Sequence, residues 1–267
     1  MALVGLVTDF GWGVYDGVLR ALARCLGVDA VDIDHSVPSF SPLAGAYVLY
    51  NTIFWLPRGS GVAVVVDPGV GSRRRALLIA GRRYFISAPD NGVAYPAALE
   101  DGIEAAYALD PERVLREARR QCEGPPWGWR LSATFHGRDV FLPAAALAVS
   151  GVEPSRLGVE VDAEELTKLS LEYSRPHPEG EELLVLYVDS FGNVALSTRK
   201  LPAGDALLSG PRGDLRARRA RTFSDVPPGE GLLYINSFGF LEAAVNQGSA
   251  AEKLGVSPGD RILVRPL

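Results

Sequence analysis

Two short segments carry the side-chain types that acid–base chemistry on a small molecule requires. In Asp67-Pro-Gly-Val-Gly-Ser-Arg-Arg-Arg75 a carboxylate, two glycines and three guanidiniums lie within one loop-forming stretch. No Gly-Lys-Ser/Thr follows the glycines, so this is not a Walker phosphate loop. Thr134-Phe-His-Gly-Arg-Asp139 sets one of the chain's three histidines beside an arginine and an aspartate. A carboxylate, a guanidinium and an imidazole together can bind and orient a water molecule. The same residues also fit a tight turn with a solvated arginine cluster and a structural histidine at a helix start. Two later segments, Asp189-Ser-Phe-Gly-Asn193 and Asn236-Ser-Phe-Gly-Phe-Leu-Glu242, each join a carboxylate, an aromatic face and an amide. Such groups suit a purine base through stacking and edge hydrogen bonds, and a carboxylate suits an amine or a ribose diol. Either segment alone reads equally as a β-turn.

The elements that must position these residues follow from hydrophobic periodicity. Residues 2–8 are a near-continuous apolar run that ends at Thr8-Asp9-Phe10-Gly11, and 61–67 is another, ending at Asp67. Both predict strands buried on two faces, with an aspartate at each carboxyl end. Between them the spacing predicts a helix over 17–26, a strand over 28–34 and a helix from the Ser41 N-cap and Pro42 to about Pro57. Strands are expected over 76–80 and 84–87, a turn at Pro89-Asp-Asn-Gly92, and helices from Asp110-Pro111 and from His136 to about 150. Alternation of this kind predicts an α/β domain over residues 1–172 with a mostly parallel sheet flanked by helices. Ligands of such sheets bind outside the strands' carboxyl ends, where Asp9 and Asp67 are expected. Residues 173–181 read as a Pro-rich linker. Short strands over 183–188, 193–196, 232–235 and 262–264 then predict a smaller β domain over 182–267.

Composition narrows the function classes. The 267 residues carry 27 Lys plus Arg against 32 Asp plus Glu, a net charge of −5 that argues against a nucleic-acid binder. The run 212–221 is arginine-rich but has no interleaved aromatics, and reads as an exposed hairpin. No apolar run approaches the ~20 residues of a membrane span, and the first residues lack a signal-peptide pattern, so a cytoplasmic protein is expected. Only three of the basic residues are lysines, a bias met in some thermophiles and equally explained by base composition. Cys25 and Cys122 stand alone in sequence and are expected as buried thiols. Strand alternation predicts His35 on the face opposite Asp32 and Asp34, in a non-metal role, and His177 as a solvated linker residue.

Read in order, Thr8-Asp-Phe-Gly11, Val66-Asp-Pro-Gly-Val-Gly-Ser72 with Arg74, Pro89-Asp-Asn-Gly92, Thr134–Asp139 and the two Ser-Phe-Gly segments resemble one family over essentially the whole chain. It is that of the S-adenosyl-L-methionine (SAM) hydroxide adenosyltransferases, adenosine-forming SAM hydrolases related to the SAM fluorinases and chlorinases. The resemblance implies an N-terminal α/β domain and a C-terminal β-barrel. It implies attack of water on the ribose C5′ of SAM, with no metal or other cofactor, and a homotrimer with SAM bound between subunits. Asp67, Arg74 and His136 would then be catalytic. Asp9 would grip the ribose hydroxyls, Phe40 would pack on the sugar, and Phe191 and Asn193 would hold adenine. Asp189 and Ser237 would meet the methionine end, with Glu242 in the same substrate-binding set. Halogenating relatives have Tyr at the strand-end Asp and Tyr-Ser in place of His136-Gly137, so water is favoured over halide. An aspartate usually follows the first motif in relatives, and Asp16 stands one residue short of that spacing. A SAM or adenosine sensor with little turnover and a halide-dependent alkylating enzyme are the alternative functions.

Overall fold

The structure is a computed structural model that describes residues 2–267. Its contacts divide the chain into two compact units between Leu169 and Ser170.

The first unit is built on a seven-stranded sheet. Its strands are β1 (Leu3–Thr8), β2 (Asp29–Asp34), β3 (Gly61–Val65), β4 (Ala76–Gly81), β5 (Phe85–Pro89), β6 (Ile103–Leu109) and β7 (Gly158–Val161), in the order β2-β1-β3-β5-β4-β6-β7. Strands β2, β1, β3 and β5 run parallel, whereas β4, β6 and β7 pair antiparallel. The sheet is therefore mixed rather than mostly parallel. The reason lies in the connection between β4 and β5, which is too short for a crossover and can only make a hairpin.

Helices α1 (Val14–Cys25), α2 (Pro42–Thr52), α3 (Tyr95–Asp101), α4 (Pro111–Arg119) and α5 (Leu142–Val149) accompany the sheet. Ser41 caps α2 by accepting from the Ala44 amide, and Asp110 caps α4 by accepting from Glu112 and Arg113, each with proline at the first turn. Leu6, Leu19, Ala63, Val65, Leu78, Phe141, Leu142 and Leu147 form one continuous buried core. A turn of π-helix over Gly137–Phe141 leads into α5.

The cysteines are not thiols. Cys25, at the end of α1, and Cys122, just beyond α4, form a disulfide. Their separation of 97 residues hides the pairing from the sequence, since only the fold brings the two helix ends together. His35 lies just past the end of β2 and is completely buried. It meets the Thr8 hydroxyl at 2.8 Å and Asp32 at 3.0 Å, so strict alternation, which held it away from Asp32, does not extend past the strand.

The second unit is a β-barrel. It comprises β8 (Ser174–His177), β9 (Gly180–Val188), β10 (Val194–Leu196), β11 (Ala206–Ser209), β12 (Asp214–Arg219), β13 (Gly231–Ile235), β14 (Leu241–Val245) and β15 (Arg261–Pro266), with a short helix α6 (Ala250–Leu254). Pairing of β10 with both β14 and β9 closes seven strands into a ring, and β8 extends β9 outside it. The stretch 174–177, expected as linker, is thus an edge strand: despite its prolines, it pairs along β9 from Ser174–Leu183 to His177–Gly180. The arginine-rich run supplies β12, whose Leu215 and Ala217 point inward between outward arginines.

Candidate active site

Parallel pairing places Thr8 beside Val65, so the carboxyl ends of β1 and β3 deliver Asp9 and Asp67 to the same edge of the sheet. Asp9 is held by the loop after β2: its carboxylate accepts from the Phe40 amide at 2.9 Å, and its carbonyl accepts from the Ser39 hydroxyl at 3.3 Å. Burial, and secondarily the nearby Asp67 charge, push the Asp9 pKa up against the lowering effect of the Phe40 amide. Phe40 has φ of +64°, a left-handed conformation uncommon for a bulky residue, and its side chain is 75% exposed. Such strain, concentrated where a side chain must be presented, is a mark of ligand sites.

Arg74 joins the other two candidates. Its Nε donates to Asp67 at 2.9 and 3.0 Å, one terminal nitrogen also donates to Asp67, and the same nitrogen lies 2.8 Å from Nδ1 of His136. The Asp67 and Arg74 side chains are only 6% and 12% exposed. The guanidinium lies over the Phe141 ring, 5.2 Å from its centroid, which fixes its plane. Burial, and then the Arg74 charge, hold the His136 pKa below the usual imidazole value, outweighing Asp67 and Asp139. The ring is neutral at neutral pH. Because Nδ1 faces an Arg74 N–H, it accepts, and the ring proton resides on Nε2.

Asp67 and His136, which Arg74 bridges, face a cavity of about 150 Å³ lined also by Asp9, Phe10, Phe135 and Phe141. Its size suits a reacting centre with a water rather than a complete nucleoside ligand. Of the three arginines in the loop, only Arg74 turns into the site. Arg75 binds Asp90 and the Glu165 carbonyl, and Arg73 is exposed. Asp16 does not present its carboxylate to the cavity: the side chain is 1% exposed and accepts from the Gly13 amide and from Arg20.

The barrel holds the other candidates in two places. Asp189 closes its own turn, accepting from the Phe191 and Asn193 amides at 2.9 Å each and from the Asn193 side-chain amide at 2.8 Å. Phe191 and Asn193 border a second cavity of about 510 Å³, with Phe223, Val245, Gln247 and Gly248 on its other sides. Asn193 is 7% exposed, and its Oδ1 is buried with no partner among the described residues. Ser237 and Glu242 belong to the opposite end of β10, because Ala195 pairs with Glu242 and the Leu241 amide donates to Thr198. Glu242 accepts from Tyr234 and Asn236. The two Ser-Phe-Gly segments therefore do not share one pocket. Phe223 and Gln247 escaped sequence reasoning. Phe223 sits in a Thr222–Asp225 capping box, a signal for a helix start but not for a ligand. Gln247 is marked only by its positive φ.

An α/β unit that gathers a carboxylate, a guanidinium and an imidazole at its strand ends, followed by a closed β-barrel with an aromatic cleft, defines a two-domain small-molecule enzyme. The chain matches the SAM hydroxide adenosyltransferase N-terminal domain over residues 4–158 and the corresponding C-terminal domain over 183–263, and it belongs to that family. It is 40% identical to the (R)-S-adenosyl-L-methionine hydrolase of Thermus thermophilus over 263 residues, covering 97% of this chain and 98% of that one. It is 39% identical over 272 residues to the protein of the same name from Salinispora arenicola, covering 98% and 97%. The crystal structure of an uncharacterized conserved protein from Thermotoga maritima superposes with a TM-score of 0.80 at 30% identity, covering 98% of this chain and all of that one.

Proposed function

We infer that this chain hydrolyses SAM to adenosine and L-methionine, with water attacking the ribose C5′. The observation that carries the mechanism is the buried Asp67–Arg74–His136 assembly facing a cavity of water-and-reaction-centre size. The water forms the new C5′–O bond as the C5′–S bond breaks, and the bonding pair returns to sulfur as neutral methionine. The water's proton goes to Asp67. His136 is a poor acceptor there, because Nδ1 faces Arg74 and Nε2 already bears hydrogen; it donates from Nε2 to the water oxygen and so aligns it. Arg74 holds Asp67 in place and keeps His136 neutral. The sulfonium is already an activated leaving group, so alignment and exclusion of bulk solvent suffice without a metal or other cofactor.

Asp9 accepts from the ribose hydroxyls and Phe40 covers the sugar. Adenine lies in the barrel cleft between Phe191 and Phe223, with Asn193 in the cleft wall tied to Asp189 through its side-chain amide. The methionine end falls to Asp189, which borders the same cleft and is limited to the lone pairs its own turn leaves free, whereas Ser237 and Glu242, away from that cleft, are not given a contact with it. Each cavity carries only part of the chemistry, which supports a homotrimer in which the α/β unit of one subunit meets the barrel of the next. The names of the curated relatives support a preference for the (R) sulfonium epimer. A cytoplasmic location fits the substrate; the disulfide is at home there chiefly in hyperthermophiles.

The test is incubation of the purified protein with an (R)/(S) mixture of SAM. Adenosine and methionine should appear in equal amounts as the (R) epimer disappears, and added chloride should yield no 5′-chloro nucleoside. Tight SAM binding without adenosine would contradict the proposal.

A further inference from the structure

The motif Pro89-Asp-Asn-Gly92 has no part in the chemistry above, yet it grips the loop that supplies two of the reacting groups. That loop begins at Asp67 and ends at Arg74, and the ion pair between these two residues closes its neck. On one side, the Asn91 side-chain amide donates to the carbonyl of Val66, the residue before Asp67, at 2.9 Å. On the other, the Asp90 amide donates to the carbonyl of Arg75, the residue after Arg74, at 3.0 Å, and the Arg75 guanidinium donates back to the Asp90 carboxylate at 2.7 Å.

The two adjacent residues are themselves anchored. Asn91 Oδ1 accepts from the Val93 amide at 3.1 Å, and Val93 is fully buried. The Asp90 side chain is 6% exposed and also accepts from the Thr167 amide at 2.8 Å. Gly92 follows with φ of +91°, a left-handed turn that brings the chain round close against Leu169. All of this extends a strand register already fixed by the Ala76–Pro89 pair of β4 and β5. The neck of the reactive loop is thus held at both ends by consecutive residues of one rigid turn.

We propose that Asn91, seconded by Asp90, is a positioning residue for SAM hydrolysis, acting through the Val66 carbonyl to hold Asp67 against Arg74 and His136. This rests on Asp67 being the water's partner. Displacement of a reacting group by about 1 Å can cost on the order of 100-fold in rate. A bond to the backbone immediately before Asp67 controls displacements of that size.

The experiment is a cycle between Asn91→Ser and Asp67→Asn, read by single-turnover rates and by kcat and KM separately. Asn91→Ser retains an oxygen for the Val93 amide but is too short to reach Val66, so the turn persists while the hold on Asp67 is lost. Asn91→Ser should lower kcat by roughly 10- to 100-fold with KM within about threefold of the parent, and add less than about twofold in the Asp67→Asn background. Asp90→Asn, which keeps the turn and weakens only the hold on Arg75, should give a smaller loss of about three- to tenfold, also in kcat. An unchanged kcat in both variants, a loss confined to KM, or losses that multiply in the double variant would overturn the proposal. A parent protein that forms no adenosine would instead refute the hydrolase function itself, which keeps the two failures distinct.

Discussion

The α/β unit and the barrel use the same residue types in opposite ways. At the sheet edge, Arg74 bonds both Asp67 and His136, so the three side chains hold one another in place while Asp67 and His136 face the cavity. In the barrel, the Asp189 carboxylate is engaged by its own turn, and the cleft it borders is walled by the Phe191 and Phe223 rings together with Asn193, Val245 and Gln247. Mutual pairing among buried ionic groups fixes a geometry without substrate and suits a chemical step. Open aromatic faces suit recognition by stacking. Under the proposed function, the contrast gives rate to the first unit and affinity to the second.

Substitutions that break this division should differ in kind as well as size. Asp67→Ala should lower kcat by about 10³-fold, within the range of general acid–base contributions, in single-turnover assays. In the same unit, Cys25→Ser or reduction of the disulfide should lower stability by ~2–4 kcal/mol, since the bridge closes a loop of 97 residues. Denaturant unfolding of the variant against the parent measures it. Gly137→Ser, which introduces the residue that the family resemblance gives to halogenating relatives here, should lose activity without gaining halide use. A Cβ there would lie 2.9 Å from a Val65 methyl, and such overpacking costs ~1–3 kcal/mol. Phe223→Ala, on the barrel side, should raise KM by about tenfold at nearly constant kcat, as expected for ~1–3 kcal/mol of base–aromatic stacking.

The smallest effect is in pH dependence. In the proposed mechanism His136 acts as a neutral ring, and because its pKa is held below 6.5, the acid loss of kcat should fall at lower pH than titration of an ordinary imidazole would give. In the proposed binding mode Asp9 holds the ribose hydroxyls as a carboxylate, and burial raises its pKa above 3.8. KM should therefore climb on the acid side earlier than for an ordinary carboxylate. A kcat that halves near 6.5 would break the assignment of a neutral His136.

Much of the catalytic half was legible because strand ends are legible. Two apolar runs ending in aspartate fixed where Asp9 and Asp67 must emerge, and only one partner arrangement of the sheet was needed to set them side by side. Arg74 among three consecutive arginines was singled out by family resemblance, since local pattern does not tell which guanidinium turns inward. The barrel was less legible. Its strands are short, and β8 carries prolines that read as linker until β9 is seen to supply the partner. The separation of Asn193 from Ser237 and Glu242 follows from the β10–β14 register, which no local motif encodes. The disulfide failed for the same reason: its closure depends on tertiary proximity alone.

Displacement at C5′ by a water held beside Asp67 is tested most directly by hydrolysis in heavy-oxygen water. Mass spectrometry should find the label in the 5′-hydroxyl of adenosine, with unlabelled methionine beside it. Label in homoserine, with 5′-methylthioadenosine as the co-product, would place the attack on the methionine side of the sulfonium and contradict the account.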